Sequence, residues 1–331
     1  MANITVIGFG SWGIALARLL SRNGHTVRVW EFDAEKVKML HETRVTPVLP
    51  GVVLPYDIVI TNDMREACVG AEQFLFAVPS SFTRVTAEKL APFVAAGQVV
   101  ICVSKGLEDG SLLRLTEVIE SAIPQCRAAA LSGPSHAEEV ARDLPTTCVA
   151  ASRHEGVAEA VQELMSCDTF RVYTNGDAAG VELGGALKNV IALAAGISDG
   201  MGFGDNTKAA LMTRGISEIA RLGIAMGAEQ DTFGGLTGIG DLIVTCTSMH
   251  SRNRRAGILL GQGMALEAAL AEVGMVVEGV HTARAAFALA ERYGVEMPII
   301  HEIHKILFEG KSPRQAVLDL MTRDKTIEKK D

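Results

Sequence analysis

Ile4-Thr5-Val6-Ile7-Gly8-Phe9-Gly10-Ser11-Trp12-Gly13-Ile14 sets a short apolar β run directly against a Gly-x-Gly-x-x-Gly turn, and that turn directly against a helix. The context makes the glycine pattern informative: a strand precedes it, a helix follows it, and it opens a βαβ unit. Gly8 permits the tight turn, Gly10 lets backbone approach a pyrophosphate, and Gly13 lets helix pack on strand. The amides of Ser11 and Trp12 then face an anion from the positive end of a helix. The reading is a dinucleotide site.

Outward from this loop, Ile14 to Arg22 reads as a helix stopped by Asn23-Gly24, and Thr26–Trp30 as the next strand. Further β runs are expected at Gln73–Val78, Val99–Val103, Ala128–Leu131, Thr146–Ala150 and Phe170–Tyr173, with helices at Arg84–Leu90 and Leu112–Ile123 between them. Short apolar strands alternating with helices imply a mostly parallel sheet. After about residue 178 β runs almost vanish. Helices are expected at Ala179–Ile197, Lys208–Met226, Arg252–Leu260, Ala265–Glu272, Thr282–Tyr293, Ile299–Phe308 and Pro313–Leu320. The fold class is therefore α/β: a Rossmann-like, mostly parallel sheet domain over 1–178, followed by an all-α domain over 179–331. The tail from Arg323 to Asp331 is charged and reads as frayed.

Composition excludes several classes. The 331 residues carry 31 Lys and Arg against 39 Asp and Glu, a net charge of −8, which argues against a nucleic-acid binder. Mean hydropathy is +0.24, yet no charge-free apolar stretch of ~18 residues stands out, so no membrane span is expected. The N-terminus lacks the charged start and apolar core of a signal peptide. Six scattered cysteines form no C-x-x-C pair and no cluster with histidine, so no metal site is expected. A cytoplasmic protein is the expectation. The 33 glycines, about 10% of the chain, belong in turns, helix ends and places of close approach.

Four further segments carry candidate chemistry. Glu31 and Asp33, about 20 residues after the glycine loop, can accept a ribose 2′-hydroxyl and repel a 2′-phosphate; no Arg lies at 31–35, so NAD is favoured over NADP, although both could be solvated turn residues. Lys188 shares a helix face with Gly184, Gly185 and Ala192, a stripe with almost no side-chain bulk. Glycine pairs in a helix cost roughly 1–2 kcal/mol, so something packs there: a cofactor ring or substrate beside a proton-transferring ammonium, or another helix. Ser251-Arg252-Asn253-Arg254-Arg255 opens a helix with an N-capping serine and three arginines, unfavourable beside the macrodipole, which points either to an anion such as phosphate or to a solvated basic turn. The glycine-rich turn 234–240 presents Asp241, either to a substrate hydroxyl or as a turn residue or cap. Lys105, in Ser104-Lys105-Gly106, and the Ser132-Gly133-Pro134-Ser135 loop each follow a strand's C-terminal end, where α/β sheets bind ligands.

Taken together, GFGSWG at 8–13, SKG at 104–106, LSGPSHAEE at 131–139, LGGALKNVIALAAG at 183–196, GLTGIGDL at 235–242, SRNRR at 251–255 and VVEG at 276–279 resemble bacterial NAD(P)-dependent glycerol-3-phosphate dehydrogenase, in order and over nearly the whole chain. The resemblance implies reversible hydride transfer between dihydroxyacetone phosphate and sn-glycerol 3-phosphate, supplying the backbone of phospholipids. It implies Lys188 as proton donor and acceptor. Substrate contacts would be Lys105, Gly133, Ser135, Lys188, Asp241, Ser251, Arg252 and Asn253. Cofactor contacts would be Gly8, Gly10, Ser11, Trp12, Gly13, Lys105, Ala137, Arg252, Val276 and Glu278, with NAD or NADP as cofactor. A homodimer through the helical domain follows from the resemblance alone. Phe32 and Asp33 depart from the His or Arg that many members carry there. Two other readings are a related hydroxy-acid or sugar-acid dehydrogenase and a non-catalytic dinucleotide sensor; neither accounts for an anion site at 251–255 together with the cleared face beneath Lys188.

Overall fold

The computed structural model describes residues 1–325, 327 and 328; the rest of the charged tail lies outside the described residues. In chain order the first part comprises β1 (Asn3–Ile7), α1 (Ser11–Arg22), β2 (Thr26–Trp30), α2 (Ala34–Thr43), β3 (Val59–Thr61), α3 (Met64–Ala67), β4 (Gln73–Phe76), α4 (Thr83–Leu90), β5 (Val99–Cys102), α5 (Leu115–Ala122), β6 (Arg127–Ser132), α6 (Ala137–Val140), β7 (Thr146–Ala151), α7 (Val157–Met165) and β8 (Phe170–Asn175).

The eight strands form one sheet in the order β3-β2-β1-β4-β5-β6-β7-β8. The first six strands along it run parallel; β7 pairs antiparallel with β6, and β8 runs parallel to β7. Strand order reverses between β1 and β4, and that switch point opens a crevice at the strands' C-terminal ends. The glycine loop after β1, Ser80 beyond β4, Lys105 after β5 and Gly133 after β6 all lie at this edge. α1 forms where expected because Leu16, Leu19 and Leu20 bury one face, while Asn23 and Gly24 (φ +82°) end it.

The remaining regular structure among the described residues is helical: α8 (Ala178–Gly200), α9 (Asp205–Ala225), α10 (Gln230–Phe233), α11 (Asp241–Thr247), α12 (Arg252–Gly261), α13 (Leu266–Val273), α14 (Glu278–Tyr293), α15 (Pro298–Phe308) and α16 (Pro313–Met321). α8 is buried on every side from Gly180 to Ser198 and runs through the core. It is long and apolar enough to cross a membrane, which differs from the expectation that no such stretch exists. However, 94% of its apolar window is buried inside the protein, as befits a core helix.

Two glycine pairs set the closest helix contact. A Cβ on Gly196 would lie 2.1 Å from the Arg254 carbonyl oxygen, and one on Gly257 would lie 2.2 Å from that of Leu193. Gly200 and Gly261 repeat the pattern one turn on, at 2.2 and 2.3 Å from the carbonyls of Ile258 and Ile197. α8 and α12 therefore meet backbone to backbone, and this fixes where the Ser251-Arg252-Asn253 turn sits relative to Lys188. The other end of α8 is tied to the sheet region. Buried Glu182 accepts the Thr116 N–H (2.9 Å) and hydroxyl (2.6 Å) at the start of α5, and pairs with Arg114 at 3.0 Å.

Candidate active site

Lys188 is 5% exposed. Its Nζ donates to Asp241 Oδ1 and, at 2.6 Å, to the Thr245 hydroxyl one turn along α11. Asp241 Oδ2 receives a second ammonium, Lys105 Nζ, at 2.8 Å. Lys105 Nζ also donates to the Gly133 carbonyl at 2.8 Å, and the Ser135 hydroxyl donates to that same carbonyl at 2.9 Å. One continuous network thus joins Lys188, Asp241, Lys105, Gly133 and Ser135 from both halves of the chain. Burial pushes the Lys188 ammonium down to about 8; Asp241 opposes this and Lys105 adds to it. Burial acts to raise the Asp241 carboxyl, but the two lysines outweigh it and hold that group below the usual carboxylate range.

Asp241 reaches this position because residues 236–240 form one wide turn, with the Gly240 N–H bonded to the Gly235 carbonyl five residues back. It is the first residue of α11 and 1% exposed, not a solvated turn carboxylate. The glycines beneath Lys188 serve protein packing. A Cβ on Gly184 would lie 2.7 Å from the Thr237 carbonyl, and one on Gly185 would lie 2.6 Å from the Ser132 hydroxyl. Of the occupants the sequence allows, a cofactor ring or substrate on one side and protein packing on the other, the structure has packing, by this backbone and serine, because only glycine lets the wide turn and the β6 loop approach α8 so closely.

At the third segment, Ser251 caps α12, its hydroxyl accepting the Arg254 N–H at 3.2 Å. Arg254 is spent on Asp199 at 2.8 Å, whereas half-buried Arg252 makes no ion pair among the described residues. Asn253 is buried; its amide donates to Asn189 Oδ1 (2.9 Å) and accepts the Gly279 N–H (2.8 Å). Asn253 therefore couples α12 to α8 and α14 and keeps one amide N–H in reserve. Glu278, at the start of α14, accepts the Ser80 N–H at 3.0 Å and its hydroxyl at 2.5 Å, clasping the helical part to the loop after β4. Half-buried Val276 precedes it, and Ala137 opens α6.

The nucleotide end fits the expected group. Gly8 has φ +93°, and a Cβ there would meet the Ala77 carbonyl at 2.7 Å; a Cβ on Gly13 would meet the Gly8 carbonyl at 2.3 Å. Nothing lies within 4 Å of a Cβ on Gly10, so the approach to the first-turn amides of Ser11 and Trp12 is open. Buried Trp12 Nε1 has no hydrogen-bond partner among the described residues, a donor left for a ligand. The two acids beyond β2 are placed differently from the expectation. Asp33 caps α2, accepting the N–H groups of Glu35 (3.0 Å) and Lys36 (3.3 Å), and Glu31 is 2% exposed and paired to Lys36 at 2.6 Å.

Several residues of the cleft escaped the sequence reading. Asn189 and Thr245 orient the lysine and the SRN turn, and Ser80 meets Glu278. His136, between Ser135 and Ala137, has a buried Nε2 without a partner among the described residues and is pushed below its ordinary pKa by burial and by Lys188 and Lys105. A second polar residue next to Lys188 in a mostly apolar helical run is the available signal for Asn189.

Sequence profiles of the NAD-dependent glycerol-3-phosphate dehydrogenase family match this chain over residues 3–158 (N-terminus) and 177–318 (C-terminus). The chain belongs to this family. The glycerol-3-phosphate dehydrogenase [NAD(P)+] of Agathobacter rectalis is 54% identical over 329 residues, spanning 99% of this chain and 98% of that one. The enzyme of the same name from Bacillus subtilis is 51% identical, spanning 100% and 97%. The crystal structure of glycerol-3-phosphate dehydrogenase from Coxiella burnetii superposes with a TM-score of 0.94 at 38% identity, covering 97% of this chain and 99% of that one. That agreement confirms a Rossmann-like, mostly parallel sheet region followed by a helical region, in an NAD(P)-dependent dehydrogenase family.

Proposed function

We propose that the cleft interconverts dihydroxyacetone phosphate and sn-glycerol 3-phosphate, with Lys188 as the group that gives and takes the proton. The observation that carries this reading is the burial of Lys188 between Asp241 and Thr245, with its ammonium lowered to about 8, close to working pH. A bound nicotinamide supplies or accepts the hydride. In reduction, negative charge grows on the ketone oxygen; the Lys188 ammonium stabilises it and delivers a proton. In oxidation, neutral Lys188 takes the hydroxyl proton. Asp241 holds Lys188 and Lys105 in register and keeps the pair of cations compatible with burial. Arg252, the Ser251 hydroxyl and the remaining Asn253 N–H are assigned to the phosphate, which orients the carbonyl. Gly133, Ser135 and Lys105 border the reacting end, and Glu278, Val276 and Ala137 border the cofactor.

Residues 1–178 are assigned to the cofactor and 179–331 to the substrate and proton transfer. The cytoplasm is the proposed compartment, supported by six free cysteines; a homodimer through the helices is testable by light scattering. The function is tested by the Arg252→Ala variant assayed with dihydroxyacetone phosphate. A rise in KM on the order of 10-fold or more, with kcat nearly kept, supports the phosphate site; an unchanged KM contradicts it.

A further inference from the structure

The end of β2 carries an arrangement that the family assignment does not require. Glu31 is buried, and both carboxylate oxygens are engaged: Oε2 by Lys36 Nζ at 2.6 Å, Oε1 by the Asp33 N–H at 3.3 Å. The same Lys36 Nζ donates to the Phe9 carbonyl at 2.6 Å, inside the glycine loop. Lys36 therefore bridges the loop assigned to the pyrophosphate and the strand end assigned to the ribose. Its side chain is 24% exposed, and an ammonium has three N–H groups, of which these bonds use two. The remaining N–H is committed to neither of these bonds. Asp33 caps α2 with its carboxylate, and Phe32 stands 77% exposed between the two acids.

We propose that Lys36 sets the balance between NAD and NADP: its ammonium receives the 2′-phosphate of NADP, while its pairing with Glu31 cancels the charge that would repel that phosphate. The proposal rests on reading the end of β2 as the adenosine-ribose subsite. A lone carboxylate there accepts a ribose 2′-hydroxyl and excludes a 2′-phosphate. The Glu31–Lys36 pair carries no net charge, and the Asp33 carboxylate is engaged by the α2 amides, so the exclusion by Glu31 is lifted without removing the acceptor. Lysine suits the task because its ammonium is a point charge on a flexible stem, able to serve Glu31 and an incoming phosphate in turn, whereas an arginine fork would commit to one plane. The chain thus accommodates both cofactors at a strand end that, read from its acids alone, favours NAD.

The test separates charge reading from loop support. Binding of 5′-AMP and of adenosine 2′,5′-bisphosphate to the full chain is measured by titration calorimetry, in the wild type, Lys36→Gln and Glu31→Gln, with a thermal melt for each variant. Lys36→Gln is expected to weaken the bisphosphate about 10-fold relative to 5′-AMP, the scale of one partly exposed charge-assisted hydrogen bond. Glu31→Gln is expected to move the same ratio the other way. Equal weakening of both ligands by Lys36→Gln, or a ratio moving less than twofold, overturns the proposal and leaves Lys36 as a brace for the glycine loop. If the wild type binds neither ligand at millimolar concentration, the ribose-subsite reading falls, and the proposal with it.

Discussion

Replacing Asp241 by Asn removes one negative charge shared by two ammonium groups. In the structure that carboxylate bonds Lys188 directly and Lys105 at 2.8 Å, and it is 1% exposed. At an effective dielectric constant near 20, unit charges about 4 Å apart interact by about 4 kcal/mol, or roughly three pH units. Water in the neighbouring cleft and the remaining amide dipole recover part of this, leaving a displacement on the order of two pH units. The wild-type Lys188 ammonium lies at about 8, so reductive kcat at saturating dihydroxyacetone phosphate should fall as pH rises through about 8. In Asp241→Asn the inflection should sit near 6, and at pH 7.5 the protonated fraction should drop about 25-fold. The oxidative direction, which needs neutral lysine, should show the opposite limb. The assay is kcat against pH in both directions at 20 °C, with a melt to verify folding, because an orphaned buried charge costs about 3–5 kcal/mol. An inflection within half a pH unit of wild type would refute the claim that Asp241 sets the charge of Lys188.

Other expectations concern packing, linkage and the clasp. Gly257→Ala forces a Cβ to within 2.2 Å of the Leu193 carbonyl and should lower Tm by several degrees, about 2 kcal/mol of overpacking; an unchanged Tm contradicts the glycine contact between α8 and α12. Buried Glu218 accepts the N–H groups of Ile299 and Ile300, and burial pushes it up to about 7. An acid raised in the folded state stabilises below its unfolded pKa, and that stability is lost as pH rises from about 4.5 through 7, on the order of 3 kcal/mol. Melting curves from pH 4.5 to 8 should therefore decline more steeply for wild type than for Glu218→Gln; parallel curves contradict the shift. Glu278→Ala should weaken NADH binding on the order of 10-fold by fluorescence titration, since Ser80 loses both its bonds. An unaltered Kd removes Glu278 from the cofactor site.

What the sequence made legible was local. Gly8, Gly10 and Gly13 each have a separate neighbour or opening in the structure, as their spacing implied. Strand and helix periods located most elements within a few residues. β3, with three residues, was too short to show a period, and the reversed direction of β7 and β8 leaves no trace in local alternation. Ion pairing was the hardest to read. Lys105 and Asp241 are 136 residues apart in the chain, and nothing in either loop shows that one carboxylate serves two lysines. Glu31 and Asp33 have the ribose spacing, but Asp33 also follows the rule for a helix cap, and Lys36 falls one turn on, within reach of Glu31. The stripe at Gly184 and Gly185 is legible as lacking bulk, but its occupant is the Thr237 turn and Ser132 rather than a cofactor ring or substrate, because backbone can approach glycine as closely as any ligand.

The central claim is that Lys188 carries the proton while the cofactor site stands independently of it. The most direct measurement follows dihydroxyacetone phosphate-dependent oxidation of NADH and NADPH by the wild type and by Lys188→Ala, with cofactor binding titrated in parallel. The account predicts turnover by the wild type, kcat lowered at least ~10²–10⁴-fold in the variant, loss of the limb near pH 8, and cofactor affinity within a few-fold of wild type. Near-normal turnover by Lys188→Ala would contradict it.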